Sequence, residues 1–277
     1  MNVAIIGLGL IGGSFAKAFK QNSNSSVFGY DRDASAISYA KLSETINDVV
    51  TEDTLSECDL VIIALYPDDA IEFMNKNAKI FKKDALVIDA CGTKQKVCEA
   101  GFEIAKENGF VFVGGHPMAG IQFSGIKYSR ADLFVGSSMI IVPPCNDDIR
   151  LFDRIKTALA PAGFGKLTFT TAKRHDEIIA YTSQLAHVVS NAYIKSETAV
   201  THHGFSAGSY KDMTRVATLN ENMWTQLFME NKENLSRELG NLIEELSKYK
   251  KALDENDKDG MMELLREGRE CKERADG

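Results

Sequence analysis

Residues 2–12 read NVAIIGLGLIG, and this stretch decides the fold of the N-terminal half. The apolar, β-branched run 2–6 predicts a strand, the glycines that follow predict a tight turn, and residues 14–19 predict a helix. In the dinucleotide-binding fingerprint the first glycine permits the turn, the second lets backbone approach a pyrophosphate, and the third lets the helix pack on the strand. We therefore expect dinucleotide contacts from Gly7, Leu8, Gly9, Leu10, Ile11 and Gly12.

The choice of dinucleotide depends on the end of the second predicted strand, residues 27–31 (VFGYD). A carboxylate at Asp31 would accept hydrogen bonds from both ribose hydroxyls of NAD and would repel the extra phosphate of NADP. Arg32 follows directly and would soften that repulsion. The sequence favours NAD over NADP, with Asp31 and Arg32 in the cofactor site.

Composition excludes several classes of protein. The 277 residues are 44% hydrophobic and 26% charged, which is typical of one large or two modest globular domains. The net charge of -7 argues against nucleic acid as a main partner. The sequence has neither a run of about 18 apolar residues nor a secretory leader, so we expect a cytoplasmic protein without a membrane partner. Five scattered cysteines without a Cys-x-x-Cys pair indicate reduced thiols and no metal site.

Buried strands alternate with helices up to about residue 170. Helices are expected at 34–42 and at about 95–108, and Asp68 and Asp69 are expected to cap a helix that runs to about Ile80. Apolar runs at 58–64, 85–90, 110–113 and 138–142 predict strands of a doubly wound, mostly parallel sheet with right-handed crossovers. Ligands in such sheets bind beyond the carboxyl ends of the strands, where Leu65 and Gly92 would also contact the cofactor. We therefore predict an α/β fold with a Rossmann-type domain over residues 1–170.

The pattern changes to all-helical in the remainder, residues 171–277, which we predict to be a second domain. A helix is expected from Asp176 to about Val200, apolar on most sides and therefore buried centrally or in a subunit interface. An amphipathic stripe from Leu235 to Leu253 marks another helix, whose charged face reads as a solvated surface. The apolar helices indicate a homodimer.

A histidine lies in the predicted loop GGHPMAG at 114–120, at the carboxyl end of a strand. A lone histidine is more often structural than catalytic. The flanking glycines nevertheless let a ligand come close, and imidazole is suited to accept a proton from a hydroxyl while hydride leaves its carbon. His116 is therefore the candidate general base.

Four segments together resemble the prephenate and arogenate dehydrogenases of tyrosine biosynthesis. The segment HPMAG at 116–120 with SG at 124–125 is similar to the family's hallmark; DACGTK at 89–94 resembles Asp-x-x-Gly-Ser-x-Lys. TSQLAH at 182–187 resembles Ser-His-Leu-Pro-His, and KDMTR at 211–215 resembles Arg-Asp-x-Thr-Arg. The similarity runs in the right order as far as about Trp224.

The resemblance implies a role for each matching residue. His116 would accept the proton of the substrate's ring hydroxyl, and Thr93, in the place of a serine, would hydrogen-bond both that hydroxyl and His116. Arg215 would bind a substrate carboxylate in bidentate fashion. The substrate pocket would be completed by His187, Gln184 and Trp224. Thr93 could instead cap the following helix, and Arg215, His187 and Trp224 could have structural roles.

Some features depart from the family or lie outside its motifs. Residues 121–123 (IQF) replace a polar residue and a glutamate, which puts the usual role of that acid in doubt, and Gln184 replaces a histidine. His175, His202 and His203 lie outside the motifs and are interpreted as surface or loop residues.

The implied function is NAD-dependent oxidative decarboxylation of prephenate by a homodimer that needs no metal. Three alternatives stay open. Arogenate could be the substrate, although no acid in 182–189 stands out to bind its ammonium group. A β-hydroxyacid dehydrogenase would need Lys195 or Lys211 as its helical-domain lysine. A catalytically silent NAD-binding sensor is the third.

Overall fold

The computed structural model describes residues 1–145 and 147–277. Across these residues one eight-stranded sheet has the order β3-β2-β1-β4-β5-β6-β7-β8. Its neighbouring strands are parallel except for the antiparallel pair β6 and β7. The strands are β1 Asn2–Ile6, β2 Ser26–Tyr30, β3 Asp48–Val49, β4 Leu60–Ile63, β5 Leu86–Asp89, β6 Val111–Pro117, β7 Ser138–Val142 and β8 Lys166–Phe169.

Helices cover both faces of this sheet because its central strands are apolar on both sides. In β1, Val3 and Ile5 enter one hydrophobic cluster, whereas Ala4 and Ile6 enter another on the opposite face. The predicted doubly wound, mostly parallel sheet is confirmed. The strand order reverses between β1 and β4, and a fold of this type binds its ligand in the crevice at that point.

The helices agree with the predicted alternation, and two match the predicted bounds at both ends. They are α1 Leu10–Asn22, α2 Ala34–Leu42, α3 Glu52–Ser56, α4 Pro67–Asn77, α5 Gln95–Asn108, α6 Ile149–Leu159, α7 Ala172–Ile179, α8 Ala186–Tyr193, α9 Gly208–Thr214, α10 Glu221–Glu230, α11 Lys232–Asp254 and α12 Lys258–Asp276. A π-helical segment, Ala180–Leu185, joins α7 to α8 into one continuous helix. That helix ends at Tyr193, short of the predicted end near Val200.

Two details of the predicted elements were wrong. Helix α1 begins at Leu10, inside the glycine segment and four residues before the predicted start. Asp68 and Asp69 do not cap α4 as predicted. They lie in its first turn, after Pro67, where their negative charges interact favourably with the positive end of the helix dipole.

The C-terminal helices bury little apolar surface within one chain. No residue of α9, α10 or α12 is buried, and large side chains are open to solvent, among them Tyr181, Val200, Phe205 and Leu253. All five cysteines are free thiols, as predicted. Among the described residues, no helix combines the length and the apolar character that crossing a bilayer requires.

Candidate active site

The glycine turn after β1 is shaped by two steric constraints. Gly7 has a φ of +93°, which side chains disfavour, and its N–H donates to the Tyr30 carbonyl at 2.8 Å. A Cβ on Gly12 would lie 1.7 Å from the Gly7 carbonyl oxygen. Helix α1 starts after Gly9 without a side-chain cap, so its first amides point outward unpartnered by any capping side chain. This is the geometry that holds a phosphate.

Asp31 is tied to this turn. Its Oδ2 accepts from the Leu8 N–H at 2.7 Å and its Oδ1 from the Asp33 N–H at 2.9 Å. The neighbouring Arg32 is exposed and reaches towards Asp69, with 3.9 Å between Nη1 and Oδ2. The carboxylate is thus fixed at the end of β2 while the guanidinium is directed elsewhere.

The loops after β4 and β5 end at the same edge of the sheet. Ile6 pairs with Ile63, and Ile63 pairs with Asp89, so the following residues lie beside the glycine turn. Leu65 is close to it: a Cβ on Gly7 would lie 2.9 Å from Leu65 Cδ2. Gly92 instead faces the Leu227 side chain of α10.

His116 is half-buried and belongs to strand β6, where it pairs with Ile140 of β7, and not to a loop as predicted. Its Nδ1 lies 2.8 Å from Nε2 of His175. Burial, the neighbouring His175 and the Lys94 ammonium hold the pKa of His116 well below its usual range. His116 is therefore neutral near pH 7 and able to accept a proton.

The interpretation of His175 as a surface or loop residue was wrong. His175 is 2% exposed, on α7, and its Nδ1 lies 2.7 Å from Oδ1 of Asp176. The local signal was a His-Asp pair at the start of an apolar helix. The partner His116 is 59 positions away, so helical periodicity could not indicate it.

A buried ion pair lies beneath His116. Lys94 and Asp89 are both fully buried and paired, and Asp89 Oδ1 also accepts from the Gly115 N–H at 3.1 Å. Burial alone would lower the pKa of Lys94, but the Asp89 carboxylate raises it above its usual value. The ammonium therefore stays charged and disfavours a second positive charge on His116.

Thr93 has a different partner from the one expected. Its hydroxyl donates to Oε2 of Glu230 at 2.6 Å. Nδ1 of His116 is bonded to His175 and not to Thr93. Thr93 does not cap α5 either. Asp176 does so, accepting from the N–H groups of Lys94 and Gln95 at 2.8 and 2.9 Å. Neither the contact of Glu230 nor that of Asp176 was predicted from the sequence.

A second cluster lies in the helical domain. The ring centroids of His187 and Trp224 are 4.0 Å apart. Nδ1 of His187 lies 2.8 Å from the Ser183 carbonyl oxygen, and this bond does not involve Nε2. Burial lowers the pKa of His187, and the charge of Arg215 lowers it further. Arg215 is exposed and pairs with no carboxylate within residues 1–145 and 147–277.

Gln184 joins neither cluster. Its side chain is buried, and both ends of the amide are engaged: Nε2 donates to the Leu227 carbonyl at 3.0 Å and Oε1 accepts from Asn231 at 2.8 Å. These bonds hold α10 and α11 against the π-helical segment. The geometry assigns Gln184 to packing between helices, in place of the predicted substrate contact.

Comparison with known proteins adds independent information. Sequence models of the prephenate dehydrogenase nucleotide-binding domain and dimerization domain match residues 15–165 and 171–267. The chain is 29% identical to a cyclohexadienyl dehydrogenase of Zymomonas mobilis, over 98% of this chain and 94% of that protein. It is 26% identical to a prephenate dehydrogenase of Bacillus subtilis, over 98% of this chain and 75% of that protein. A crystal structure of A. aeolicus prephenate dehydrogenase with hydroxyphenyl propionate and NAD+ superposes with a TM-score of 0.85 at 28% identity, covering 99% of this chain and 98% of that one.

Proposed function

This chain belongs to the prephenate dehydrogenase family, and we propose that it oxidises prephenate with NAD, releasing CO₂ and 4-hydroxyphenylpyruvate. The observation that carries the proposal is His116, a histidine kept neutral at the carboxyl end of β6, on the sheet whose β1 end carries the dinucleotide turn. The family assignment makes the chain a dehydrogenase. It also removes the β-hydroxyacid dehydrogenase alternative, for which Lys195 and Lys211 were the candidate lysines.

The residues present fit a dinucleotide. A Cβ placed on Gly9 would meet no protein atom within 4 Å, so the backbone there is open to a ligand, and the uncapped start of α1 offers amide donors to phosphate oxygens. Bound NAD would supply the hydride acceptor. Gly7, Leu8, Gly9, Leu10, Ile11 and Gly12 would hold it, with Leu65 against the turn.

Asp31 supports NAD over NADP. Its carboxylate is held at the end of β2 by the N–H groups of Leu8 and Asp33, where the adenosine ribose of a dinucleotide binds in this type of fold. A carboxylate fixed there can accept hydrogen bonds from the ribose hydroxyls of NAD and repels the extra phosphate of NADP. The guanidinium of Arg32 is directed towards Asp69 and forms no ion pair with Asp31 among the described residues.

His116 would do the acid–base work. As hydride leaves the hydroxyl-bearing carbon of prephenate, Nε2 of His116 would accept the hydroxyl proton and a dienone would form. Loss of CO₂ from the quaternary carbon then makes the ring aromatic, which drives the reaction forward. A positioned base of this kind contributes about 10²- to 10⁴-fold to a rate.

Arg215 would hold a carboxylate of the substrate, and His187 would line the pocket beside it. Arg215 is an exposed guanidinium without a carboxylate partner among the described residues, and its planar fork suits a bidentate contact. The His187 ring packs against Trp224. It is close enough to Arg215 for the guanidinium charge to lower the pKa of His187. No carboxylate lies in 182–189 for the ammonium of arogenate, which favours prephenate.

The helical half would form a homodimer, with the domain boundary near residue 170, between β8 and α7. Its exposed apolar side chains include Phe205 at 92% and Val200 at 79% of their full surface. Such surface is costly in water and is stabilised when a second copy covers it. Light scattering at several concentrations tests this, and a monomer throughout would contradict it.

Product analysis tests the proposed substrate. Prephenate and NAD should give 4-hydroxyphenylpyruvate, with a kcat/KM above that for conversion of arogenate to tyrosine. Arg215→Lys should raise KM for prephenate, because an ammonium cannot make the bidentate contact. A higher kcat/KM for arogenate would replace the substrate but keep the reaction class.

A further inference from the structure

Three side chains form a continuous hydrogen-bonded chain between the two halves of the protein. His116 on β6 contacts His175 on α7, and His175 contacts Asp176, with separations of 2.8 and 2.7 Å. Asp176 is 1% exposed and also binds the backbone N–H groups of Lys94 and Gln95. The far end of the chain is therefore anchored on the start of α5.

The donors in this chain can be assigned in order. Backbone amides donate to both oxygens of Asp176, so the group is suited to be a carboxylate that only accepts. Burial alone would raise the pKa of Asp176, but the hydrogen bonds from His175 and the two amides hold it below its usual value. Asp176 therefore accepts a proton-bearing nitrogen, and Nδ1 of His175 carries the hydrogen.

The protonation state of His175 determines which nitrogen of His116 carries hydrogen. Burial lowers the pKa of His175, and the hydrogen bond to Asp176 offsets this only in part, so His175 is neutral. A neutral imidazole with hydrogen on Nδ1 has a lone pair on Nε2. Nδ1 of His116 must donate to that lone pair, which leaves Nε2 of His116 unprotonated.

The charged groups around the two rings have opposing effects on their pKa values. On α7, Asp176 faces His175. Directly before α5, the Lys94 ammonium lowers the pKa of both histidines, and on β5 the Asp89 carboxylate pairs with Lys94 and raises the pKa of His175. Burial and the Lys94 ammonium together keep both rings neutral at rest. Asp176 is then the one charged group within the hydrogen-bonded chain.

We propose that His175 is a positioning residue that holds His116 in the Nδ1–H tautomer, so that Nε2 faces the substrate as an acceptor. The inference rests on the proposed function, in which His116 is the base. When the substrate O–H bond breaks, a new N–H bond forms at Nε2 of His116, and hydride carries its electron pair to the nicotinamide. The positive charge on His116 is stabilised by the bond from its Nδ1–H to His175, which is itself bonded to Asp176.

The tautomer can be observed without turnover. The ring nitrogens of the five histidines give a small set of two-bond ¹H–¹⁵N correlations, and the signals lost in His116→Gln identify those of His116. Near pH 7 the wild-type protein should show His116 protonated at Nδ1 only. Protonation at Nε2 would overturn the proposal even if the enzyme is active. The Nδ1–H form in a protein inactive on prephenate would instead contradict the proposed function.

Two substitutions separate positioning from structural support. His175→Asn places its amide near the former Nδ1, so it keeps the bond to Asp176 but leaves Nδ1 of His116 without an acceptor. His175→Gln reaches the former Nε2, so it offers His116 an oxygen but loses Asp176. The matched control is His203→Asn. It replaces an exposed imidazole that takes no part in the hydrogen bonds of His116, His175 and Asp176.

Positioning and structural support rank these variants in opposite orders. We expect His175→Asn to lower kcat about 100-fold, the lower end of what a general base contributes, with KM and the melting temperature near those of wild type. His175→Gln should lose less than about 10-fold in kcat, the remainder being supplied by the retained acceptor. A purely structural role would make His175→Asn the milder change in kcat, and that order would overturn the proposal.

Discussion

Gly9→Ala tests whether the glycine turn binds a dinucleotide by close approach of the backbone. In the structure a Cβ on Gly9 meets no protein atom within 4 Å, and its φ of -74° is accessible to alanine. The free energy of unfolding should therefore change by less than about 1 kcal/mol. A Cβ on Gly12, by contrast, would lie 1.7 Å from a carbonyl oxygen and could not be accommodated.

The cost of Gly9→Ala should appear in cofactor binding. A methyl group forced between backbone and pyrophosphate is comparable to overpacking, which costs about 1–3 kcal/mol. At about 1.4 kcal/mol per factor of ten, NAD should bind roughly 5- to 150-fold more weakly. The Kd is measured by calorimetry and the stability by denaturant unfolding.

Gly240→Ala is the matched control, since a Cβ there also meets nothing within 4 Å but the position lies in α11, away from the turn. It should leave the NAD Kd unchanged. Wild-type affinity in Gly9→Ala would show that the pyrophosphate does not lie against the backbone at Gly9.

Three further changes have defined outcomes. Asp31→Ser should raise the ratio of kcat/KM with NADP to kcat/KM with NAD by about tenfold or more, roughly 1.4 kcal/mol; an unchanged ratio would remove Asp31 as the selector. Thr93→Val removes the hydroxyl that donates to Oε2 of the nearly buried Glu230 and should cost about 1–3 kcal/mol of stability, whereas Thr93→Ser should not. Since burial lowers the pKa of His116, kcat/KM should hold down to below about pH 6.5, the usual imidazole value, and fall only as lower pH protonates the base; an acid limb above that pH would count against this base.

Local patterns were enough to predict the nucleotide-binding half. A β-branched run, a glycine turn and a helix depend on short-range sterics. The bounds of the strand 2–6 and of the helices Ala34–Leu42 and Gln95–Asn108 were therefore predicted correctly. The position of Asp31 at the end of β2 follows from the same short-range reading.

Long-range hydrogen bonds account for what was missed. Thr93 is bonded to Glu230, 137 positions away, and Lys94 to Asp176, 82 positions away. No periodicity in the sequence indicates which distant side chain completes such a bond. His175 was misread for the same reason: its role becomes visible only once α7 packs beside β6.

Turnover by the wild-type protein and by His116→Asn tests both the proposed reaction and the role of His116 as its base. Purified protein with NAD and prephenate should form reduced cofactor, measured by its absorbance at about 340 nm, and release CO₂ in equal amount. His116→Asn should retain NAD binding and the fold but lose at least about 100-fold in kcat, the lower end of a general base's contribution. Absence of NAD reduction by the wild-type protein with either prephenate or arogenate would contradict the proposed reaction. Undiminished turnover in His116→Asn would contradict the role of His116 as the base.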